Sequence, residues 1–375
     1  CKNILMKKDS CNIIIIFGAT GDLTKRKLFP SLNAIFNSEK LPENFKIIGC
    51  GRKELEVDIF NQLHDEISKS SEYFKVDPSD NTDFLNLSAK INDLKSNHKA
   101  VNIIYYLSTP PMAYSPIIKN LIDNNLNKED AGFRRIIIEK PFGNDLNSSN
   151  ELNNLLSSGF NESQIFRIDH YLGKETVQNI LVSRFTNYMF NALWSREHIS
   201  YVEITAAESI GIKDRGEYYD KSGAIKDMFQ NHLLELLCLV SMEEPKVKSA
   251  ESIRNEKINV LKSIRKINCK EDVIRGQYLG SETSYKKFKS YKENKGVDKN
   301  SKTETFFACK LFIDNKRWEE VPFFIRTGKR LPTKVTEIVV NFKKNINIFG
   351  DNNESNTLIF RLQPDEGMLV KFNLK

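Results

Sequence analysis

The 375-residue sequence predicts an α/β domain on a parallel sheet, residues 1–171. It is followed by an α+β domain with a large, mostly antiparallel sheet, residues 172–375. Three observations carry that prediction. In the first half, short apolar, β-branched runs alternate with amphipathic helical stretches, as strands buried on both faces require. From Phe306 onward, strand-like runs follow one another through turns instead of crossover helices. Between the halves, residues 164–175 end a strand (Ile165, Phe166, Ile168) and break into a helix, placing a carboxylate, an imidazole, a phenol and an ammonium at the break.

Taken in order, residues 12–17 form a buried strand. Gly18, Ala19, Thr20, Gly21, Asp22 and Leu23 follow it directly, then Lys25, Arg26 and Lys27. A helical stripe runs on through Leu28, Leu32, Ile35 and Phe36. Strand, tight glycine turn and helix is the setting of a Rossmann-like dinucleotide site, where glycines let the backbone approach a pyrophosphate with no Cβ in the way. The pattern is G-x-x-G rather than G-x-G-x-x-G, and many such turns carry glycine for geometry alone. The next strand, residues 45–49, ends in Gly49, Cys50, Gly51 and Arg52. An NAD site would normally put Asp or Glu there; an Arg suits the 2′-phosphate of NADP, and otherwise is an ordinary surface residue. Residues 52–99 look helical and polar. Residues 100–107 are another buried strand, ending in Ser108, Thr109, Pro110 and Pro111, with Tyr114 in the next turn. A strand at 135–139 delivers Lys140, Pro141, Phe142 and Gly143 to the same carboxyl edge, where ligands of open α/β sheets bind.

At the central break stand Asp169, His170, Tyr171 and Lys174. His170 and Lys174 are four apart, so a helix starting there would carry both on one face near its anion-favouring N-terminus. The plain alternative makes Asp169 an N-cap and Lys174 part of a solvated face. Residues 201–206 form a strand leading to Glu208, with Asp214, Arg215, Gly216 and Asp220 in a polar loop after it. Ile225, Phe229, His232, Leu233, Leu236 and Val240 then keep helical spacing, and His232 falls on the apolar face. A core histidine is the default there. Gln230, Asn231 and His232 beside a greasy stripe nevertheless need partners, and Asp169 would be a good one. Residues 281–303, rich in Lys, Ser and Asn, read as a solvated loop without function. Strands are expected at 306–313, 321–325, 337–342, 358–362 and 368–372. After the second come Arg326, Lys329, Arg330 and Lys334, cations that suit a sugar or dinucleotide phosphate, or only a charged rim.

Composition bounds the rest. With 40% hydrophobic and 28% charged residues the chain is globular, and no apolar run approaches the ~20 residues that span a bilayer. The net charge of +7 is dispersed, without the Arg stripe or stacking aromatics of a nucleic-acid binder. Six cysteines without C-x-x-C pairing point to reduced thiols and a cytoplasmic setting, against zinc or disulfides, and no metal is expected. The chain opens at Cys1 rather than Met, as a piece of a longer product would.

With these residues assembled, the sequence closely resembles the glucose-6-phosphate dehydrogenase family. Five signatures carry the resemblance, in the family's order and over nearly the whole chain: the glycine turn at 18–23; Glu139-Lys140-Pro141-Phe142-Gly143; the run from Arg167 to Glu175; Gln230-Asn231-His232-Leu233-Leu234; and the run from Pro322 to Lys329. The third is highly specific and the first least so. The resemblance implies oxidation of C1 of β-D-glucose 6-phosphate to the 1,5-lactone with hydride passing to NADP, the first step of the oxidative pentose phosphate pathway. It implies His232 as general base, with Asp169 orienting it. His170, Tyr171 and Lys174 then clamp the substrate phosphate, and Lys140 touches both sugar and cofactor. Glu208 and Asp220 hold sugar hydroxyls, Lys329 and Lys334 add substrate contacts, and the glycine turn, Arg52, Tyr114 and Lys140 form the catalytic cofactor site. Members with a second, structural NADP site carry basic residues where this chain has Val335 and Val339; Arg326 alone matches. The resemblance further implies a homodimer or homotetramer and a missing C-terminal portion, and leaves room for a fused lactonase domain. The competing readings are an NADP-dependent oxidoreductase of another sugar phosphate and an inactive NADP-binding regulator.

Overall fold

A computed structural model describes residues 10–55, 58–283, 286–344 and 354–373. The chain divides into two compact units, Cys1–Ile168 and Asp169–Lys375, so the change of unit falls between 168 and 169 rather than between 171 and 172.

In the first unit, β1 (Ser10–Phe17), β2 (Phe45–Gly51), β3 (Ser71–Lys75), β4 (Ala100–Leu107), β5 (Arg134–Ile138) and β6 (Ile165–Arg167) form one sheet in the order β3-β2-β1-β4-β5-β6. Every pairing is parallel. The near-continuous apolar run of β1 follows from burial on both faces. Ile13, Ile15 and Phe17 enter one core, while Ile16 enters a second on the other side. Strand order reverses between β1 and β4, and the carboxyl edge at such a switch point is where open α/β sheets bind ligands. Residues 52–99 are not helical throughout. β3 interrupts them between the helices Asp65–Lys69 and Asn81–Asn97. It is an edge strand of five residues, four half-covered and one exposed, too short and too polar to stand out in the sequence.

In the second unit, seven strands form a sheet in the order β15-β14-β13-β7-β12-β11-β8. They are β7 (Ile199–Ala207), β8 (Val273–Gly276), β11 (Phe306–Leu311), β12 (Phe323–Gly328), β13 (Val335–Phe342), β14 (Thr357–Gln363) and β15 (Gly367–Lys371), while β9 (Ser281–Thr283) and β10 (Lys286–Phe288) pair apart. All pairings in the large sheet are antiparallel except β12 with β7. One face is covered by helices carrying Val177, Ile180, Leu233 and Leu236. Trp194 and Trp318 are buried in this core, and their indole N–H groups donate to Val240 O and Ser241 O, both at 2.8 Å. Two large apolar side chains thereby anchor the end of the helix Leu234–Ser241 with their donors satisfied.

Three expectations change here. The helix after the central break begins at Glu175, not at Asp169. Residues 170–173 are a turn and Lys174 is the extended N-cap, so His170 and Lys174 do not share a helical face. Asp220 lies in the helix Gly216–Ala224 rather than in a loop. The segment expected to be a solvated loop carries Tyr291, which is fully buried. Its residues 284 and 285 lie outside those described, as does Cys1; the other cysteines are free thiols. Among the described residues no helix is long and apolar enough to cross a membrane.

Candidate active site

Parallel pairing brings the carboxyl ends of β1, β2, β4 and β5 to one edge of the first unit. The glycine turn stands at the end of β1. Gly18 has φ +88°, and a Cβ there would come 2.4 Å from Ser108 O, so the turn can close only around glycine. Gly18 N and Ala19 N donate to Cys50 O at 2.9 and 3.1 Å, and Gly21 N donates to Gly18 O at 2.9 Å. Thr24, buried and overlooked in the sequence, donates to Gly18 O (3.0 Å) and lies 2.9 Å from Ser108 Oγ. These bonds tie the turn to β2, to β4 and to the π-helix Thr24–Leu28. Thr20, Asp22 and Leu23 are exposed at its tip, where Asp22 pairs with Arg26 in solvent.

Arg52 is exposed immediately beyond β2, and Lys140 is half-buried two residues beyond β5. Tyr114 is turned inward: its buried hydroxyl donates to Glu139 O at 3.2 Å, and burial pushes the phenol well above its ordinary pKa. Tyr106 donates to the Glu139 carboxylate at 2.5 Å. Two tyrosines thus hold the residue before Lys140 from both its backbone and its side chain.

The second unit builds its site from side chains. His232 sits on the π-helix Ile225–Leu233, which packs on β7 and β12. Its Nδ1 lies 2.6 Å from Asp169 Oδ1, with the imidazole 1% and the carboxylate 16% exposed. A carboxylate can only accept, so the Nδ1–H donates, and in the neutral imidazole Nε2 carries the lone pair. Asp169 is itself fixed, because Tyr171 N donates to the same Oδ1 at 2.9 Å. The Tyr171 ring stacks on His232 at 4.1 Å and 14°, and the exposed His170 ring meets it edge-on at 4.5 Å. Lys174 Nζ lies 4.2 Å from the Tyr171 ring centre. Partial burial holds the Lys174 ammonium below the usual lysine range; Glu366 opposes this, Lys334 adds to it as a like charge, and Asp169 opposes it.

Glu208 follows β7 and Lys329 follows β12. Because these two strands run parallel, with Ala207 opposite Gly328, the two side chains emerge together and form an ion pair. Asp227 was overlooked in the sequence. It is buried on the π-helix five residues before His232, accepting from Tyr218 Oη at 3.0 Å. An i→i+5 ladder turns less per residue than an α-helix, so residues five apart lie closer to one face than α geometry would put them. Asp220, by contrast, is spent on structure. Its carboxylate accepts from Tyr291 Oη (2.9 Å), Asp298 N (3.2 Å) and Ser301 Oγ. Burial works to raise its pKa, but these bonds and Thr303 outweigh it and hold the group below the usual range.

Asp169, His170 and His232 each offer a ligand atom within 4.8 Å of the others. At 2.6 Å, however, His232 Nδ1 and Asp169 Oδ1 are closer than two ligands of a tetrahedral zinc, which stand about 3.4 Å apart. The arrangement is that of a directly hydrogen-bonded pair.

A doubly wound parallel sheet with a glycine turn at its switch point, and a buried imidazole bonded to a carboxylate, are features of NAD(P)-dependent dehydrogenases. Residues 15–179 match the family description "Glucose-6-phosphate dehydrogenase, NAD binding domain", and residues 181–375 match "Glucose-6-phosphate dehydrogenase, C-terminal domain". The chain belongs to the glucose-6-phosphate dehydrogenase family. It is 45% identical to glucose-6-phosphate 1-dehydrogenase of Aggregatibacter actinomycetemcomitans, over 99% of this chain and 79% of that one. Its identity to the Treponema pallidum enzyme is 44%, over 97% and 76%. A solved glucose-6-phosphate dehydrogenase in complex with its substrate glucose 6-phosphate superposes with a TM-score of 0.89 at 34% identity, covering 98% of this chain and 78% of that one.

Proposed function

We propose that this chain oxidises D-glucose 6-phosphate at C1 to 6-phospho-D-glucono-1,5-lactone, with NADP as hydride acceptor and His232 as general base. The observation that carries the reading is the 2.6 Å bond between His232 Nδ1 and Asp169. It leaves Nε2 to take the proton of the C1 hydroxyl as the C1–H bond breaks, and it sets a carboxylate beside the imidazolium that forms. The nicotinamide, when bound, supplies the hydride acceptor. Residues 18–23 would hold the dinucleotide, which fits a turn where a single Cβ would not; Arg52 would take the 2′-phosphate, and Lys140 serves the cofactor. His170, Tyr171, Lys174 and Lys334 receive the sugar phosphate, and the Lys329–Glu208 pair the sugar. Asp227 replaces Asp220 as the carboxylate for a sugar hydroxyl, because Asp220 is already engaged by three donors. A cytoplasmic homodimer or homotetramer belongs to the same reading.

The test is His232→Asn, followed by reduced-cofactor absorbance over a panel of sugar phosphates with NADP and with NAD. General-base help amounts to ~10²–10⁴ in rate, so kcat should fall by about that much while glucose 6-phosphate still binds. Near-normal turnover would remove His232 from the role.

A further inference from the structure

We infer that Glu304 is a positioning residue for His232, capping the π-helix that carries the base from just beyond the stretch 281–303 that the sequence reads as a solvated loop. The N-terminal N–H groups of a helix have no partner within it. Here the deficit is met from 79 residues away in the chain: Ile225 N donates to Glu304 Oε1 at 2.9 Å, and Ala224 N donates to Glu304 O at 3.0 Å. A carboxylate at this end also complements the helix dipole.

The junction is shaped for that cap. Gly223 breaks from helical geometry with φ +63°, ψ −178°, and a Cβ on it would stand 2.4 Å from Glu304 Oε1. Glycine at this point therefore both turns the chain and leaves room for the carboxylate. The capping segment is held in turn by the preceding helix, since Asp220 binds Tyr291, Ser301 and Asp298 N, and Thr303 Oγ1 donates to Asp220 O at 2.6 Å.

A π ladder turns less per residue than an α ladder, and it is the rarer arrangement of the two. Were its first turn to relax to α bonds, His232, seven residues beyond Ile225, would swing around the axis and away from Asp169. Glu304 pins the end from which that rotation would start. Its role is thus to hold the imidazole in register with its carboxylate, without touching substrate.

This inference rests on His232 being the base, and the test separates the two. Glu304→Ala should lower kcat by about tenfold, with KM for glucose 6-phosphate and for NADP within twofold of the parent. With glucose 6-phosphate deuterated at C1, the isotope effect on kcat should rise, because a misaligned base slows the chemical step. Glu304→Gln, which keeps an acceptor for Ile225 N, should recover most of the rate. An isotope effect that stays constant while kcat falls would mean only that less enzyme is active, and it would overturn the inference, as would an unchanged kcat. If the alanine variant does not fold, Glu304→Asp, which draws the carboxylate back by one methylene, is read for the same two quantities and decides in the same way. Failure of the base assignment would show in His232→Asn alone; failure of the cap would show as a normal Glu304 variant beside an impaired His232→Asn.

Discussion

At the glycine turn the first unit presents backbone, whereas around His232 the second unit presents side chains. Gly18, Ala19 and Gly21 lie within four residues of sequence and are fixed by main-chain bonds to Cys50 O and to one another. Asp169 and His232 are 63 residues apart, and Glu208 and Lys329 are 121 apart. The first kind of site is broken by adding a methyl group and the second by changing a charge. A backbone site fails through shape, together with the strand ends that build it. A side-chain site fails one group at a time and leaves its scaffold standing.

The sharpest way to separate the two is Gly18→Ala. The new Cβ would have to displace Ser108 O from 2.4 Å in a left-handed conformation that itself costs about 1–2 kcal/mol. Fluorescence titration should show NADPH affinity reduced tenfold or more, since each 1.4 kcal/mol is a factor of ten. Glucose 6-phosphate binding, which we assign to the second unit, should change by less than about twofold. Equal loss of both ligands would mean that the turn supports the whole protein and is no separate cofactor site.

A smaller effect divides two carboxylates of the second unit. Asp227→Asn removes a buried charge from the helix that carries His232 and should lower kcat/KM for glucose 6-phosphate by about tenfold, with the melting temperature nearly unchanged. Asp220→Asn weakens an acceptor for three donors, an interaction class for which about 1–3 kcal/mol is at stake, so it should lower the melting temperature and leave KM for glucose 6-phosphate within twofold. The reverse pattern would restore Asp220 to the site and make Asp227 the structural group.

Asp220 enters as a sugar ligand only through the family resemblance, and residue spacing points to neither Asp220 nor Asp227. At 3.6 residues per turn, positions five apart on an α-helix lie about 140° away from each other, so Asp227 and His232 fall on different faces. The slower turn of the π ladder brings them closer to one face, and no residue type in 225–233 announces that ladder. The same limit hides the Lys329–Glu208 pair, which exists only because β12 runs parallel to β7 in an otherwise antiparallel sheet. What could be read is what short-range chemistry forces. The β-branched runs of β1 and β4 demand two covered faces, and a Gly immediately past β1 demands a tight turn. A histidine on a greasy stripe demands a partner, and a carboxylate such as Asp169 is a good one. β3 was missed because an edge strand needs little apolar surface, and the start of the helix at Glu175 because Asp169 and His170 are occupied with His232 rather than with capping.

The smallest effect probes the phosphate end of the side-chain site through pH. Burial, aided by the like charge of Lys334 and opposed by Glu366 and Asp169, holds Lys174 below the ordinary lysine pKa. Attraction for the sugar phosphate is complete while Lys174 is protonated and is lost as pH rises through that lowered pKa, so KM for glucose 6-phosphate should climb at a lower pH than an ordinary lysine, near 10.4, would give. Lys334→Met takes away the repelling charge. It makes the Lys174 ammonium easier to keep, and should move the alkaline rise in KM upward by a fraction of a pH unit, even though KM itself is larger throughout because one cation is gone. The measurement is KM against pH for parent and variant, with kcat followed in parallel. A rise that stays in place, or shifts downward, would mean that the two ammonium groups do not share one phosphate, and the side-chain site would lose its anion-binding end.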